Sequence, residues 1–260
     1  MPVLANLLPD VNELFEWKAI FGDHTILAFN KTALMAFVST AICILLFVYG
    51  TRRRALVPTG AQNVAEMGYE LIEDQVAVQI MGAEDGKRWA PFLATMFFWI
   101  LFINVWEVIP VVEFPATSRL AIPLFLALMS WAIFIIVGFK NQGRHYIKNA
   151  VVPPGVPLGM LFLVAPIEFF SKFFVRPFSL AIRLFANMTA GHVLLAVFAI
   201  MTNELFWVHN SGYFQIAFSP LPFVGLVAIW GLEILVALLQ AYIFTALTAV
   251  YVAESLHPEH

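Results

Sequence analysis

Charge is scarce in this sequence: only 12% of its 260 residues are Asp, Glu, Lys or Arg, while 61% are hydrophobic. A soluble domain carries about twice that share of charge, and so few ionised groups cannot cover the surface of a water-soluble globule. A mean hydropathy of +0.85 agrees. Cysteine is nearly absent as well, since Cys43 stands alone within an apolar run, which excludes a disulfide framework. A net charge of -3 and the lack of basic clusters beyond Arg52, Arg53 and Arg54 exclude a nucleic-acid surface. No P-loop pattern and no soluble segment large enough for a catalytic domain are present, so the chain is expected not to be an enzyme by itself. No cofactor or metal is expected. The first 30 residues are acidic and have no basic region before a short apolar core, so they do not read as a signal peptide.

What the chain does have is long apolar blocks. A helix needs about 20 apolar residues to cross the ~30 Å hydrocarbon core of a bilayer. Five stretches qualify: about 32–50, 89–112, 120–139, 178–201 and 223–253. The stretch 61–82 differs. Glu66, Glu70 and Glu73 recur at helical spacing on one face and Val64, Met67 and Leu71 on another, as in an amphipathic helix lying in the membrane interface. Met160 to Phe174 is a second segment of this interfacial kind, with Glu168 and Lys172 four apart before Pro177 opens the next helix. The run from Val152 to Pro157 reads as an irregular linker. The expected fold is therefore all-α and membrane-integral, with five transmembrane helices and one interfacial helix. Residues 1–30 form an extracytoplasmic segment and 31–260 a single transmembrane domain.

Lys and Arg fix the expected orientation, because basic loops tend to stay in the cytoplasm. Arg52, Arg53, Arg54, Lys87 and Arg88 lie between spans one and two, and Lys140, Arg144, Lys148, Lys172 and Arg176 between spans three and four. The other side has only Lys18, Lys31 and Arg119. The N-terminus is expected outside and the C-terminus in the cytoplasm, most simply of a bacterial plasma membrane.

An arginine within a membrane span costs from about 3 kcal/mol to more than ~10, so Arg183 is the most informative residue in the chain. The bland alternative is an interfacial arginine snorkelling to lipid headgroups. Asn187 shares its face, and Ser179, Ala181, Ala186, Ala190, Gly191 and Ala196 make the helix narrow enough for a neighbour to approach closely. His192 falls about 180° around the helix from Arg183. Taken alone, it fits a hydrogen-bonded structural histidine as well as a proton carrier. On the last span Glu233 and Gln240 are seven apart and share a face with Ala237. If the last two spans form an antiparallel hairpin, His192 and Glu233 lie at similar depths. Such a pair serves either as a proton relay or as a buried ion pair that fixes helix register. The final span, at about 46 Å for 31 residues, has to tilt strongly. On the second span Asn104 and Glu107, with Glu113 beyond, could line an inlet from outside or simply face solvent at a helix end. Glu168 could pair with Lys172 or line an exit.

The run from Arg176 to His192, Arg-Pro-Phe-Ser-Leu-Ala-Ile-Arg-Leu-Phe-Ala-Asn-Met-Thr-Ala-Gly-His, resembles the signature of subunit a, the stator channel subunit of the F-type ATP synthase. The run from Leu239 to Tyr251 resembles that family's final helix, and Asn104 to Ser118 its second-span hairpin more loosely. The resemblance implies a proton-conducting stator that forms two aqueous half-channels against the rotor's c-ring and is held by the peripheral stalk subunit b. Arg183 would be the essential stator arginine facing the rotor carboxylate. Asn187 and Gln240 would lie near it, and Asn104, Glu107, His192 and Glu233 would belong to the outer half-channel. Many bacterial members carry Glu where His192 stands and His where Glu233 stands. The family often has a glutamate at the position of Phe169, whereas this chain has Glu168. The rival reading is a proton-coupled secondary transporter or antiporter in which Arg183 binds an anion, although such folds often contain inverted repeats that this sequence lacks.

Overall fold

Asn30 starts the first helix, its side-chain Oδ1 accepting a hydrogen bond from the Ala33 amide at 3.0 Å and so satisfying a donor that a helix start leaves open. The fold is that of a computed structural model describing residues 30–52, 60–109, 116–152, 158–203 and 220–257. The N-terminal segment up to residue 29, Arg53, Arg54, Glu113, the stretch 153–157 and most of the loop from Thr202 to Pro222 lie outside the described residues.

Helix α1, Lys31–Arg52, is the first apolar span. Helix α2, Ala61–Ile72, continues through a π-helical turn at Glu73–Val78 and a last turn at Gln79–Met81. It leaves Val64, Met67 and Leu71 exposed, an apolar stripe suited to the acyl boundary of a membrane. Gly82, at φ 84°, then turns the chain back, a conformation that costs glycine little. Helix α3, Ala83–Val108, follows with Glu84 and Asp85 in its first turn. It begins before the expected Trp89 because helical backbone continues through charged residues that a count of apolar residues leaves out. It also stops short of Val112: Ile109 precedes Pro110 and is extended, at ψ 113°, as the proline ring demands of its predecessor.

After a short 3₁₀ turn, Ala116–Ser118, helix α4 spans Ala121–Gln142 and ends at Gly143, φ 60°. Helix α5, His145–Val151, is brief. Helix α6, Leu158–Phe170, runs through a π-helical turn at Ser171–Val175 directly into α7, Arg176–Asn203. The expected interfacial segment Met160 to Phe174 is thus continuous with the fourth span rather than separate from it. Pro177 does not open a new helix. Its ring crowds the carbonyl four residues back and offers no N–H, and the wider π turn just before it absorbs the conflict. Helix α8, Pro220–Leu256, has 37 residues.

Among the described residues, five helices are long and apolar enough to cross a membrane. Helix α8 packs against α3, α4 and α7, and α7 also packs against α4, while α1 lies outside on α2 and α3. Indole donors pin α1 in place: Trp106 Nε1 reaches Ser39 Oγ at 2.7 Å and Trp99 Nε1 reaches Thr40 Oγ1 at 2.8 Å. At the other end, the last carbonyls of α8 accept hydrogen bonds from α4, Gln142 Nε2 to Ser255 O at 2.9 Å and Asn141 Nδ2 to Leu256 O. His257 Nε2 meets Asp85 Oδ2 of α3 at 2.7 Å.

Gly86 makes the tightest backbone approach in this frame, since a Cβ there would sit 2.7 Å from Ala77 O and Val78 Cα. Backbone cannot yield cheaply, so Gly86→Val should destabilise the subunit by about 1–3 kcal/mol, read as a lowered melting temperature of the purified membrane complex. Gly231→Ala, with nothing within 4 Å, should melt as the wild type does.

Candidate functional site

The small residues of α7 divide between two environments, and Ser179, Ala186 and Ala190 are exposed. Ala181 and Gly191 are buried, and α8 comes close enough that a Cβ on Gly191 would run into the Glu233 carboxylate. On the facing side of α8, Glu233 (3% exposed), Ala237 (1%) and Gln240 (5%) are buried in one stripe. Arg183, Asn187 and His192 on α7 are half-buried. The structure therefore sets Glu233 beside Gly191, the residue before His192. Glu233 Oε2 has no hydrogen-bond partner among the described residues. His192 lies within electrostatic reach of Lys31 at the start of α1.

A second set of polar groups comes from α3. Asn104 is fully buried and Glu107 is 2% exposed. Asn104 Oδ1 accepts from Thr117 Oγ1 at 3.0 Å, whereas Asn104 Nδ2 and Glu107 Oε1 have no partner among the described residues. Glu107 and Glu233 are close enough to interact electrostatically, so α3 and α8 aim two carboxyl groups into the same region of the bundle. Trp230 holds that alignment: its Nε1 donates to the Val108 carbonyl at 2.7 Å, one turn from Glu233 and next to Glu107. That bond also satisfies one of the carbonyls left open at the end of α3.

Glu168 stands apart from both sets. Its Oε2 is 3.6 Å from Lys172 Nζ, which also donates to Ala150 O at 2.9 Å. Along the helix it is about 22 Å from Arg183. Among the described residues no three His, Cys, Asp or Glu side chains gather as a metal site would require.

Residues 33–253 match the family described as ATP synthase A chain. The chain belongs to that family. A protein of Rhodococcus erythropolis named ATP synthase subunit a is 40% identical over 231 residues, covering 88% of this chain and 83% of its own length. Its namesake in Parafrankia sp. is 44% identical over 227 residues, with 86% and 75% covered. That of Methylobacterium sp. is 40% identical over 250 residues, with 95% and 96% covered. As an ATP synthase A chain, this protein is a membrane-embedded Fo stator subunit of a complex that links proton transport to ATP synthesis.

Sequence reasoning singled out the ionisable side chains of this A chain but missed the groups that hold them. In the sequence Trp230 is one more apolar residue of the final span, although it stands three residues before Glu233, a spacing that puts both on one helical face. Gly191 shows its small size in the sequence but not that it seats a carboxylate. Thr117, the partner of Asn104, was visible only as part of a loosely matching stretch.

Replacing Gly191 with valine should push the Glu233 carboxylate out of its seat. Displacements of about 1 Å in such sites can cost 100-fold, so ATP-driven proton pumping by Gly191→Val membranes should drop at least about ten-fold while the subunit stays assembled. Wild-type pumping would detach this contact from function.

Proposed function

We propose that the chain is the proton-conducting stator of a rotary F-type ATP synthase, forming two aqueous half-channels against a c-ring and coupling ion flow to rotation through Arg183. The observation that carries this reading is the group Asn104, Glu107 and Glu233: three buried side chains on helices long and apolar enough to cross a membrane, each with a hydrogen-bonding atom that has no partner among the described residues. Each such atom costs about 1–3 kcal/mol when buried and unmet. A lipid-facing bundle has no reason to keep three together, whereas a path for protons and water needs acceptors and donors that are open to exchange.

Protons enter from the outer side along Asn104, Glu107, Glu233 and His192 and reach a carboxylate on the rotor. Arg183, with Asn187 one turn on and Gln240 across on α8, attracts that carboxylate only when it is ionised. The fixed cation keeps the two half-channels apart, because a proton can pass from one to the other only by riding the ring. Glu168, paired with Lys172 at the inner end, lies on the way out. The N-terminus faces outside and the C-terminus the cytoplasm of a bacterial plasma membrane. The subunit catalyses nothing alone and works with the c-ring, the peripheral stalk subunit b and the rest of the complex.

The deciding measurement is ATP-driven acidification of inverted membrane vesicles containing Arg183→Ala. Pumping and ATP synthesis should vanish while the complex still assembles, and coupled pumping at the wild-type rate would overturn the reading. Exchange of the titratable pair, His192→Glu with Glu233→His, should restore more activity than either single change. Two near-normal single variants would make the pair structural.

A further inference from the structure

Helix α7 carries two arginines on one face. Arg176 and Arg183 are seven residues apart, hence about 20° apart around the helix and about 10 Å along it. Their surroundings differ. Arg176 Nη1 donates to Glu254 Oε2 at 2.7 Å, and its guanidinium carbon lies 4.7 Å from the centroid of the Tyr251 ring. Tyr251 and Glu254, three apart on α8, share a face and offer Arg176 an aromatic surface and a carboxylate together. Arg183 forms no ion pair among the described residues, although Tyr251 lies within electrostatic reach of both arginines.

This arrangement is not needed to hold the helix ends together. Gln142 and Asn141 already bind the last carbonyls of α8, and His257 meets Asp85. Glu254 is also 45% exposed, and an ion pair with so exposed a carboxylate adds little to stability. What the pair does change is the electrostatic profile along α7. With Glu254 in place, the field of Arg176 is largely cancelled at a distance of several ångströms. Without it, α7 would present a second bare cation about 10 Å from the first.

We propose that Glu254 masks the charge of Arg176, so that Arg183 is the uncompensated cation that the rotor carboxylate meets on this face of α7. The inference rests on the stator reading of Arg183 and adds a requirement to it: the face must offer one cation, not two in series. An unmasked Arg176 would give the ionised carboxylate a second resting place toward the inner end and would repel protons leaving by that route. Both effects slow rotation. Glu254 and Tyr251 are thus positioning residues that act through Arg176 and touch no proton in transit.

The test uses the assembled complex in inverted membrane vesicles, with ATP-driven acidification normalised to the amount of complex. Glu254→Gln should slow pumping by roughly ten-fold, the scale expected for one extra charge at about 10 Å in a medium of intermediate polarity. Glu254→Asp should stay within about two-fold of the wild type. The double variant Arg176→Gln with Glu254→Gln removes the second cation and the mask together, and it should recover to within about two-fold of the wild type. A purely structural clamp predicts the opposite, because the double variant also lacks the contact. A Glu254→Gln complex that pumps normally, or a double variant as slow as Glu254→Gln, overturns the masking role. Arg183→Ala measured alongside separates the two levels: if it is inactive while Glu254→Gln is normal, the masking fails and the stator reading stands.

Discussion

Helices far longer than a bilayer is thick must lean, kink or run on beyond its hydrocarbon core, and a leaning helix needs something to lean on. The fourth span covers 45 residues from Gly159 to Asn203 and α8 covers 37, about 68 and 55 Å of helix against a ~30 Å core. Their support is each other. Small residues on α7 let α8 approach until the Glu233 carboxylate rests on Gly191, and α3 and α4 back the pair from behind. Most of the side chains to which the proposed function assigns proton transfer stand on this packed set: Arg183, Asn187 and His192 on α7, Glu233 and Gln240 on α8, Asn104 and Glu107 on α3.

Two kinds of polar group share the bundle. One kind is fully used in holding helices together: the indole bonds of Trp99, Trp106 and Trp230, the Thr248 Oγ1 to Ser130 Oγ bond at 3.2 Å, and the amides of Asn141 and Gln142. These occupy the bundle's donors and acceptors and resist rearrangement. The other kind is left partly open among the described residues, at Asn104, Glu107 and Glu233 and also at Thr32 and Trp131. Rigid bonds around open ones are what the proposed conducting path requires, since its frame must not collapse onto the groups assigned to exchange protons. Trp230 shows the two kinds meeting, with a satisfied bond one turn from an unsatisfied carboxylate.

The five spans were legible in the sequence because membrane insertion selects on length and hydropathy, both local properties. The buried stripe of Glu233, Ala237 and Gln240 was legible too, since a seven-residue interval on a helix returns to the same face. The joins were less so. The merging of α6 with α7 depends on how a π turn accommodates Pro177, and a proline in sequence announces a helix start as readily as a kink. Nor could spacing disclose Gly191 as the seat for Glu233 or the Val108 carbonyl as the partner of Trp230, because those contacts join segments far apart in the chain. For Glu168 the sequence allows two roles, and the 3.6 Å contact with Lys172 is with the neighbour that four-residue spacing puts beside it.

The bond between Trp230 and Val108 joins residues 122 apart, and that interval sets an order of events during biogenesis. When α3 enters the bilayer, neither α7 nor α8 has been synthesised, so Asn104 and Glu107 go in without the helices that later enclose them. A polar or acidic side chain opposes insertion by up to a few kcal/mol at a span's middle and by less toward its end, where Asn104 and Glu107 stand. The aromatic and aliphatic residues from Phe92 to Ile103 offset that cost before any tertiary contact exists. The richness of α3 in Phe, Trp and Ile thus serves the newborn chain as much as the finished bundle: it lets the membrane hold an acid whose companions arrive more than a hundred residues later.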